Sequence, residues 1–403
     1  MAPANACFKP KRILSFCEMT FAALVLLVLS ILAMPRVASA EEGVTRIHVL
    51  PFAGGHSLGL SCAGGDAIII ESNSRFGMVD SGESGDYPDG SNPRYPFRTG
   101  TTIGHGTEDR VLSYLDSLGV TEDNFDFYIG THPHSDHIGN AGLIIRKYKP
   151  SRVYTPRYDD SYLTSSWGLW DNQYVYDDLV NAAKEVGAGL YLDFDEAAPE
   201  SPEPGSNVCK PEFDFGNAHI ELVNTDSSYE TAGVADANFI SLGVKVTSGG
   251  KVAYLAGDIC NLDGDEDRLA HTLVQVDFMK LGHHGGPNSN TQDYMAALSP
   301  DIIFQTGVYD LLWDQTLSTL ESLKPLFFNC DDCITADKSA FVVDLDPSGI
   351  RINVNPAPKT IWHNSYVAFE GNRPGAVQEG WQRVADGYVF LRPLIEVATQ
   401  LVD

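Results

Sequence analysis

The run Thr131-His132-Pro133-His134-Ser135-Asp136-His137 places three imidazoles and a carboxylate within six residues, His132 to His137. Neutral imidazole and carboxylate are the nitrogen and oxygen donors that zinc and its neighbours take, and soluble proteins rarely crowd them together without a metal to hold. Further candidates stand apart in the sequence. They are Asp80 in Val79-Asp80-Ser81-Gly82, Asp258 in Ala256-Gly257-Asp258, and the pair in Gly282-His283-His284-Gly285. His219, in Asn217-Ala218-His219-Ile220-Glu221, sits in an alternating segment and reads as an ordinary strand histidine.

Something must carry these side chains to one place. Phe125 to Gly130, directly ahead of the histidine run, is aromatic and β-branched and reads as a buried strand. Ile47–Phe52, Ala67–Glu71 and Arg75–Val79 read as earlier strands, the last running into Asp80. Phe239–Val246 and Val252–Leu255 flank the hairpin signal Ser248-Gly249-Gly250-Lys251, and the second runs into Asp258. Val276–Leu281 ends at the His283-His284 pair, while Ile302–Gln305 and Phe341–Leu345 add two strands. Asp109–Leu118 has helical spacing, with Val111, Leu112, Leu115 and Leu118 on one face, and Asp178–Gly187 reads as a second helix. Alternating strands and helices imply a layered α/β fold. Within it, four strand ends carry Asp80, the histidine run, Asp258 and His283-His284. Gly85–Gly106 is a polar, Pro- and Gly-rich loop long enough to suspect function, and Glu196–Gly205 reads as a surface loop.

The first forty residues read as a leader. Lys9, Lys11 and Arg12 are followed by an apolar stretch, Phe21 to Met34, too short to span a bilayer, and by Ala38-Ser39-Ala40. Cleavage near Ala40 predicts a secreted or surface-associated protein with no stable membrane span. The formal charge is −27; the leader holds four Lys/Arg and one Glu, so its removal leaves −30. Such a surface repels polyanions, which argues against nucleic acid as a partner. Cys330 and Cys333 are expected to be either a local disulfide or two free thiols, and no second Cys pair exists to form a zinc knuckle. The acidic run Asp263-Gly264-Asp265-Glu266-Asp267 lacks EF-hand spacing and reads as a solvated turn before a helix.

The pattern His-x-His-x-Asp-His, then Gly-Asp, then His-His-Gly resembles the metallo-β-lactamase superfamily. That resemblance implies an αββα sandwich with two metal ions at one edge of its β layers. Carried over by residue, His132 and His134 hold the first ion, Asp136 and His137 the second, and Asp258 bridges both. His284, with His283 as the alternative, completes the second. Asp80 is expected to orient a ligand histidine rather than bind metal. No histidine other than His219 lies between the run and Asp258, so a further first-ion ligand common in lactamase-like enzymes is missing.

The likeness extends from about residue 66 to about residue 356, through Glu71-Ser72-Asn73, Met78 to Glu83, Tyr87 to Ser91, Arg94 to Arg98, Leu169 to Asn172, Ser289-Asn290-Thr291 and Leu298-Ser299-Pro300. These segments are similar to the catalytic module of teichoic acid phosphorylcholine esterases. Trp362-His363, Gly380-Trp381-Gln382 and Gly387 to Leu391 resemble one or two degenerate choline-binding hairpin repeats. The implied organisation is a signal peptide (1–40), a catalytic domain (41–356) and a short repeat-type tail (357–403).

The implied activity is an exported di-zinc phosphodiesterase, other divalent ions being possible, that hydrolyses phosphorylcholine esters by metal-activated hydroxide attack at phosphorus. His132, His134, Asp136 and Asp258 are its catalytic residues, and a phosphorylcholine-bearing wall polymer or lipid is the partner. A choline head group needs aromatic faces and negative charge. Trp167, Trp170 and Tyr174, with Asp86 and Asp89, are the candidates in sequence. Two other functions remain open. One is a nuclease-like phosphodiesterase, since Asn238 to Leu242 with Gly282 to Gly285 also resembles DNA-uptake hydrolase domains. The other is a non-catalytic choline- or wall-binding protein.

Overall fold

A computed structural model describes residues 43–52, 56–57, 60–61, 65–104, 106–199, 202–226, 233–307, 312–363, 367–372, 381–384 and 387–390. The expected leader (1–40), Cys62, His105 and much of the tail lie outside the described residues.

The first sheet opens with β1 (Thr45–Val49), β2 (Ala67–Ser72) and β3 (Arg75–Ser81), and a two-residue hairpin pair, His56–Ser57 with Leu60–Ser61, lies between β1 and β2. They are followed by α1 (Glu108–Ser117), β4 (Phe125–Ile129), the short α2 (Ser135–Ile138), α3 (Ala141–Tyr148), β5 (Arg152–Tyr154), α4 (Asn172–Val186) and β6 (Gly189–Tyr191). The second half supplies β7 (Glu212–Phe215), β8 (Ala218–Val223), β9 (Gly243–Ser248), β10 (Lys251–Leu255), α5 (Asp265–Thr272), β11 (Phe278–Lys280), α6 (Gln292–Leu298), β12 (Ile302–Gln305), α7 (Asp314–Leu323), β13 (Leu326–Asn329) and α8 (Cys330–Thr335). The order closes with β14 (Phe341–Asp346), β15 (Gly349–Ile352), β16 (Trp381–Val384) and β17 (Gly387–Phe390).

One sheet runs β16-β17-β15-β14-β1-β2-β3-β4-β5-β6, the other β7-β8-β9-β10-β11-β12-β13. Strands β3 to β6 are parallel, as are β10 to β13, so within each set the carboxyl ends share an edge. That edge is where open α/β sheets build sites.

Two-residue periodicity decides the layers. Ile68, Ile70, Phe127 and Ile129 point between the sheets and meet Ile220, Leu222, Val244, Val246 and Phe304. Their neighbours Ile69, Met78 and Tyr128 face outward onto Val111 and Leu115 of α1, Ile144 and Ile145 of α3, and Leu179 of α4. On the other sheet, Tyr254, Met279, Ile303 and Phe327 face Leu269, Met295, Leu298, Leu317 and Leu320 of α5, α6 and α7. The result is the expected helix–sheet–sheet–helix order, with burial worth roughly 1.5–3 kcal/mol for each large side chain. Close packing has a marker at Gly77, where an added Cβ would lie 2.1 Å from the Phe127 ring.

Several local expectations change. Only Gly243–Ser248 is strand where Phe239–Val246 was expected, because Ala237–Ile240 forms a 3-10 turn. The Asp236 side chain accepts from the Asn238 N–H at 2.9 Å and starts that turn. Gly249 and Gly250, at φ 58° and 73°, link β9 to β10 as the hairpin signal predicts. Helix α4 begins at Asn172 rather than Asp178, so Tyr174 and Tyr176 are helical. The run 263–267 is not a solvated turn: Asp265 and Glu266 are buried, Asp265 against Arg268 and Glu266 under the start of α6. Cys209, Cys260, Cys330 and Cys333 are buried free thiols.

In the tail, β17 pairs with β15 and carries the β16–β17 hairpin onto the first sheet. The Asn372 side chain accepts from the Phe327 N–H (2.9 Å) and donates to its carbonyl (3.1 Å), occupying the open edge of β13. Among the described residues no helix is long and apolar enough to cross a membrane.

Candidate metal centre

Each functional side chain is delivered by the end of a parallel strand. Asp80 lies near the end of β3 in the left-handed region, at φ 55°. Both its oxygens are held from β4's exit, by the Thr131 N–H at 2.8 Å and the Thr131 hydroxyl at 2.7 Å. His134 is extended (φ −77°, ψ 142°) and starts α2, which places Asp136 and His137 in the helix's only turn above buried Ile138. At the end of β10, Gly257 has φ 52°, and an added Cβ would lie 2.6 Å from the Leu242 carbonyl. Only glycine lets Asp258 approach the histidine run this closely. After β11, His283 and His284 are both left-handed, at φ 49° and 53°.

The donors converge on two groups, His132/His134/Asp258 and Asp136/His137/His284, each with its ligand atoms within 4.8 Å of one another. His132 Nε2 lies 3.0 Å from His134 Nδ1 and 3.8 Å from Asp258 Oδ2. His284 Nε2 lies 3.2 Å from His137 Nε2, 3.3 Å from Asp136 Oδ2 and 3.4 Å from Asp258 Oδ2. Asp258 Oδ1 is 3.2 Å from His137 Nε2, so its carboxylate faces both groups.

The nitrogens turned away from the cluster identify the lone pairs. His284 Nδ1 donates to the Thr306 carbonyl at 2.9 Å, which leaves Nε2 bare of hydrogen toward the cluster when the ring is neutral. His137 Nδ1 faces Asp80 Oδ2 at 2.8 Å, and His132 Nδ1 faces the Thr131 hydroxyl at 3.0 Å. His134 is reversed: Nδ1 faces the cluster, while Nε2 is buried without a hydrogen bond, 3.7 Å from Asp236 Oδ1. Imidazole nitrogens 3.0–3.2 Å apart repel when both are bare, so each pair is held either by a proton between them or by a metal ion that both ligate. This donor set, oriented from behind, fits two divalent ions of the zinc type.

Charge agrees with that fit. Burial lowers the pKa of His132 and, less strongly, His134, so both are neutral and ready to ligate. Burial opposes protonation of His137 and His284 too, but the Asp258 and Asp136 carboxylates prevail and raise both, His284 to about 9. The same imidazoles hold Asp136 and Asp258 low against the effect of burial. Without metal, protons supply the positive charge the second group requires.

Of the histidine pair, His284 joins the cluster. His283 is directed elsewhere: its Nδ1 donates to the Pro287 carbonyl (3.1 Å), and its Nε2 accepts from Asn238 Nδ2 (3.2 Å). His219 sits on β8, part-exposed, 2.9 Å from Asp214. The candidate choline residues do not form one site: only Tyr174 and Asp86 meet. The Trp170 ring lies 4.8 Å from the His134 ring, while Trp167 is 85% exposed. The Tyr174 hydroxyl donates to Asp86 at 2.7 Å, and both line a separate cavity of about 490 Å³ with Tyr95, Glu108 and Asn140. Asp89 is exposed and accepts from the Ser91 N–H. Four residues were missed in sequence: Asp66, Asp236, Lys280 and Thr306. One signal was available, a lysine closing the apolar strand Val276–Leu281.

The family model of the metallo-beta-lactamase superfamily matches residues 61–220, which include the whole histidine run. The chain has the metallo-β-lactamase fold. Superfamily members are typically metal-dependent hydrolases that bind one or two metal ions, commonly zinc. Among curated proteins the chain is similar to ComE operon protein 3 of Bacillus subtilis, 21% identical over 254 residues. The match takes in 59% of this chain but only 26% of that protein, so the chain spans about a quarter of the relative's length. Among solved structures, the metallo-beta-lactamase fold protein YhfI of Bacillus subtilis aligns with 75% of this chain and 99% of its own, at 11% identity and TM-score 0.40. The short form of human tRNase Z aligns with 65% of this chain and 92% of its own, at 12% identity and TM-score 0.35.

Proposed function

We propose that this protein is an exported, two-metal phosphodiesterase that hydrolyses phosphorylcholine esters of a wall polymer or lipid. The observation that carries the reading is the pair of ligand groups sharing Asp258, with imidazoles oriented from behind by Thr131, Asp80 and Thr306. When bound, two divalent ions lower the pKa of a water molecule and offset the charge on phosphoryl oxygens.

The chain's own residues do the rest. His132, His134 and Asp258 hold one ion; Asp136, His137 and His284 hold the other. Asp80 keeps the Nδ1 hydrogen of His137 away from the cluster. Two features beside His134 suit a quaternary ammonium: the Trp170 ring and the part-exposed Asp236 carboxylate. A chain of net charge −27 discriminates against polyanions and tolerates a cationic head group. The choline assignment itself rests on the sequence resemblance around residues 66–356. Export rests on the basic, apolar and Ala-Ser-Ala succession of residues 1–40.

A nuclease-like phosphodiesterase is the second reading, favoured by the 254-residue match to ComE operon protein 3 and opposed by the charge. Turnover of p-nitrophenyl phosphorylcholine, bis-p-nitrophenyl phosphate, single-stranded DNA and a chromogenic β-lactam, each with and without chelator, separates them. Preference for the first substrate, lost on chelation, is expected. Activity on DNA alone establishes the second reading, and silence on all four points to a binding protein.

A further inference from the structure

Lys280 closes β11 beneath the cluster and is completely buried, next to the core residues Phe278 and Met279. Burying an ammonium costs several kcal/mol unless charged and polar partners surround it. Three do. Its Nζ is in contact with Asp66, lies 3.5 Å from Asp258 Oδ1, and donates to the Gly257 carbonyl at 2.8 Å. Asp66 in turn stands behind both histidines of the second group, 3.5 Å from His284 Nδ1 and 3.8 Å from His137 Nδ1. Asp66, Asp80 and His137 also form a third set of donors within 4.8 Å of one another. Carboxylates and a carbonyl gathered in this way are the oxygen donors of a hard cation. The ammonium already stands among them.

We propose that Lys280 is a positioning residue that acts as a tethered cation. It fills a third cation position behind Asp258, holds that carboxylate toward the two ligand groups, and limits the centre to two ions. A cation attached to the backbone costs no translational entropy and is not removed by a chelator. It also balances Asp66, whose oxygens would otherwise compete with the Thr306 carbonyl for the His284 Nδ1 hydrogen. Loss of an ordinary structural ion pair would leave the metal count at two. Loss of a tethered cation opens a place that a further metal ion takes and that a small ammonium contests.

The inference rests on the two-metal reading above, but its readout is metal content rather than turnover. The purified full chain, Lys280→Ala and Lys280→Met are saturated with zinc, with and without ethylammonium, desalted and analysed for zinc per chain. Two ions are expected for the unsubstituted protein. Lys280→Ala is expected to take a third, and ethylammonium to return it to two. Lys280→Met, whose side chain fills the space without charge, is expected to respond to neither. A folded Lys280→Ala that binds two zinc ions with or without ethylammonium overturns the proposal. Should Lys280→Ala fail to fold, the neutral pair Asp66→Asn/Lys280→Met decides by competition with a chromophoric chelator. At least a tenfold loss of affinity for one of the two ions is expected, the range seen when groups orienting metal ligands are removed. Unchanged affinity overturns it. Fewer than two ions in the unsubstituted protein would refute the two-metal reading itself, so the two failures are distinguishable.

Discussion

Glu266 offers a test of how the second half of the site is held up. It lies in the first turn of α5 and is completely buried. Its carboxylate accepts from the backbone N–H groups of Asn290 and Thr291. Asn290 in turn accepts from the Gly282 N–H at 2.9 Å and donates to the Gly282 carbonyl at 2.8 Å, clamping the residue from which His283 and His284 depart. Burial pushes the Glu266 pKa from 4.5 to about 7, outweighing the two N–H donors. The native state therefore holds this proton more tightly than the unfolded chain does. The contribution of Glu266 to stability is complete below about 4.5 and is lost as pH rises through about 7. At roughly 1.4 kcal/mol per tenfold change in proton affinity, the loss amounts to about 3 kcal/mol. Glu266→Gln removes the titration, and its imperfect hydrogen bonding adds an offset that does not depend on pH. Urea unfolding of both proteins between pH 4.5 and 8.5 isolates the effect, because every other titrating group cancels in the difference. The difference is expected to move by about 3 kcal/mol in favour of Glu266→Gln as pH rises. A difference that stays flat across this range refutes a buried carboxyl at this position.

Three other perturbations probe the centre and its support. Asp258→Ala removes the carboxylate shared by both ligand groups; loss of detectable hydrolysis with an unchanged near-UV circular dichroism spectrum is expected, and near-native turnover would remove Asp258 from the mechanism. Asp80→Asn leaves the fold intact but weakens the hold on His137 Nδ1, so affinity for one ion should fall about 10- to 100-fold in a chelator competition, with the other unaffected. Gly77→Ala drives a methyl group into the Phe127 ring, 2.1 Å from its nearest atom, and is expected to cost about 1–3 kcal/mol in urea unfolding while leaving metal stoichiometry at two.

Legibility in sequence follows the range of the interaction involved. The histidine run, Asp258 and the His283-His284 pair were readable because each closes an apolar strand, and strand ends in a parallel sheet are gathered by the topology. The strands β2 and β4 were likewise readable as short apolar runs. What required the fold was the environment of single charges. Glu266 looks like a solvent-exposed acid until the start of α6 is laid across it, and Asp265 until Asn224 and Arg268 meet it. Lys280 looks like the polar end of a strand until Asp66, more than two hundred residues away, is brought against it. The choice between His283 and His284 depends on which ring meets Asn238 and which meets Thr306, both on other elements. The aromatic candidates Trp167, Trp170 and Tyr174 are parted for a local reason. Because α4 begins at Asn172, Tyr176 turns into the core, Tyr174 turns toward Asp86, and Trp170 alone stands beside a ligand histidine.

Backbone strain gives these separate observations a common explanation. Asp80, Trp170, His283 and His284 are all non-glycine residues with positive φ, at 55°, 29°, 49° and 53°. Such conformations cost of order 1–3 kcal/mol each and persist only where neighbours over-determine them. At three places along the chain the holder is visible. Thr131 binds both oxygens of Asp80; Arg98 donates to the Trp170 carbonyl at 3.1 Å while its other arm pairs with Asp160; and Asn290, itself fixed by Glu266, grips Gly282 ahead of the histidine pair. None of the three holders is in the ligand groups. Substituting them should therefore shift ligand positions with the donor set intact, and appear as weakened metal affinity before any loss of the fold.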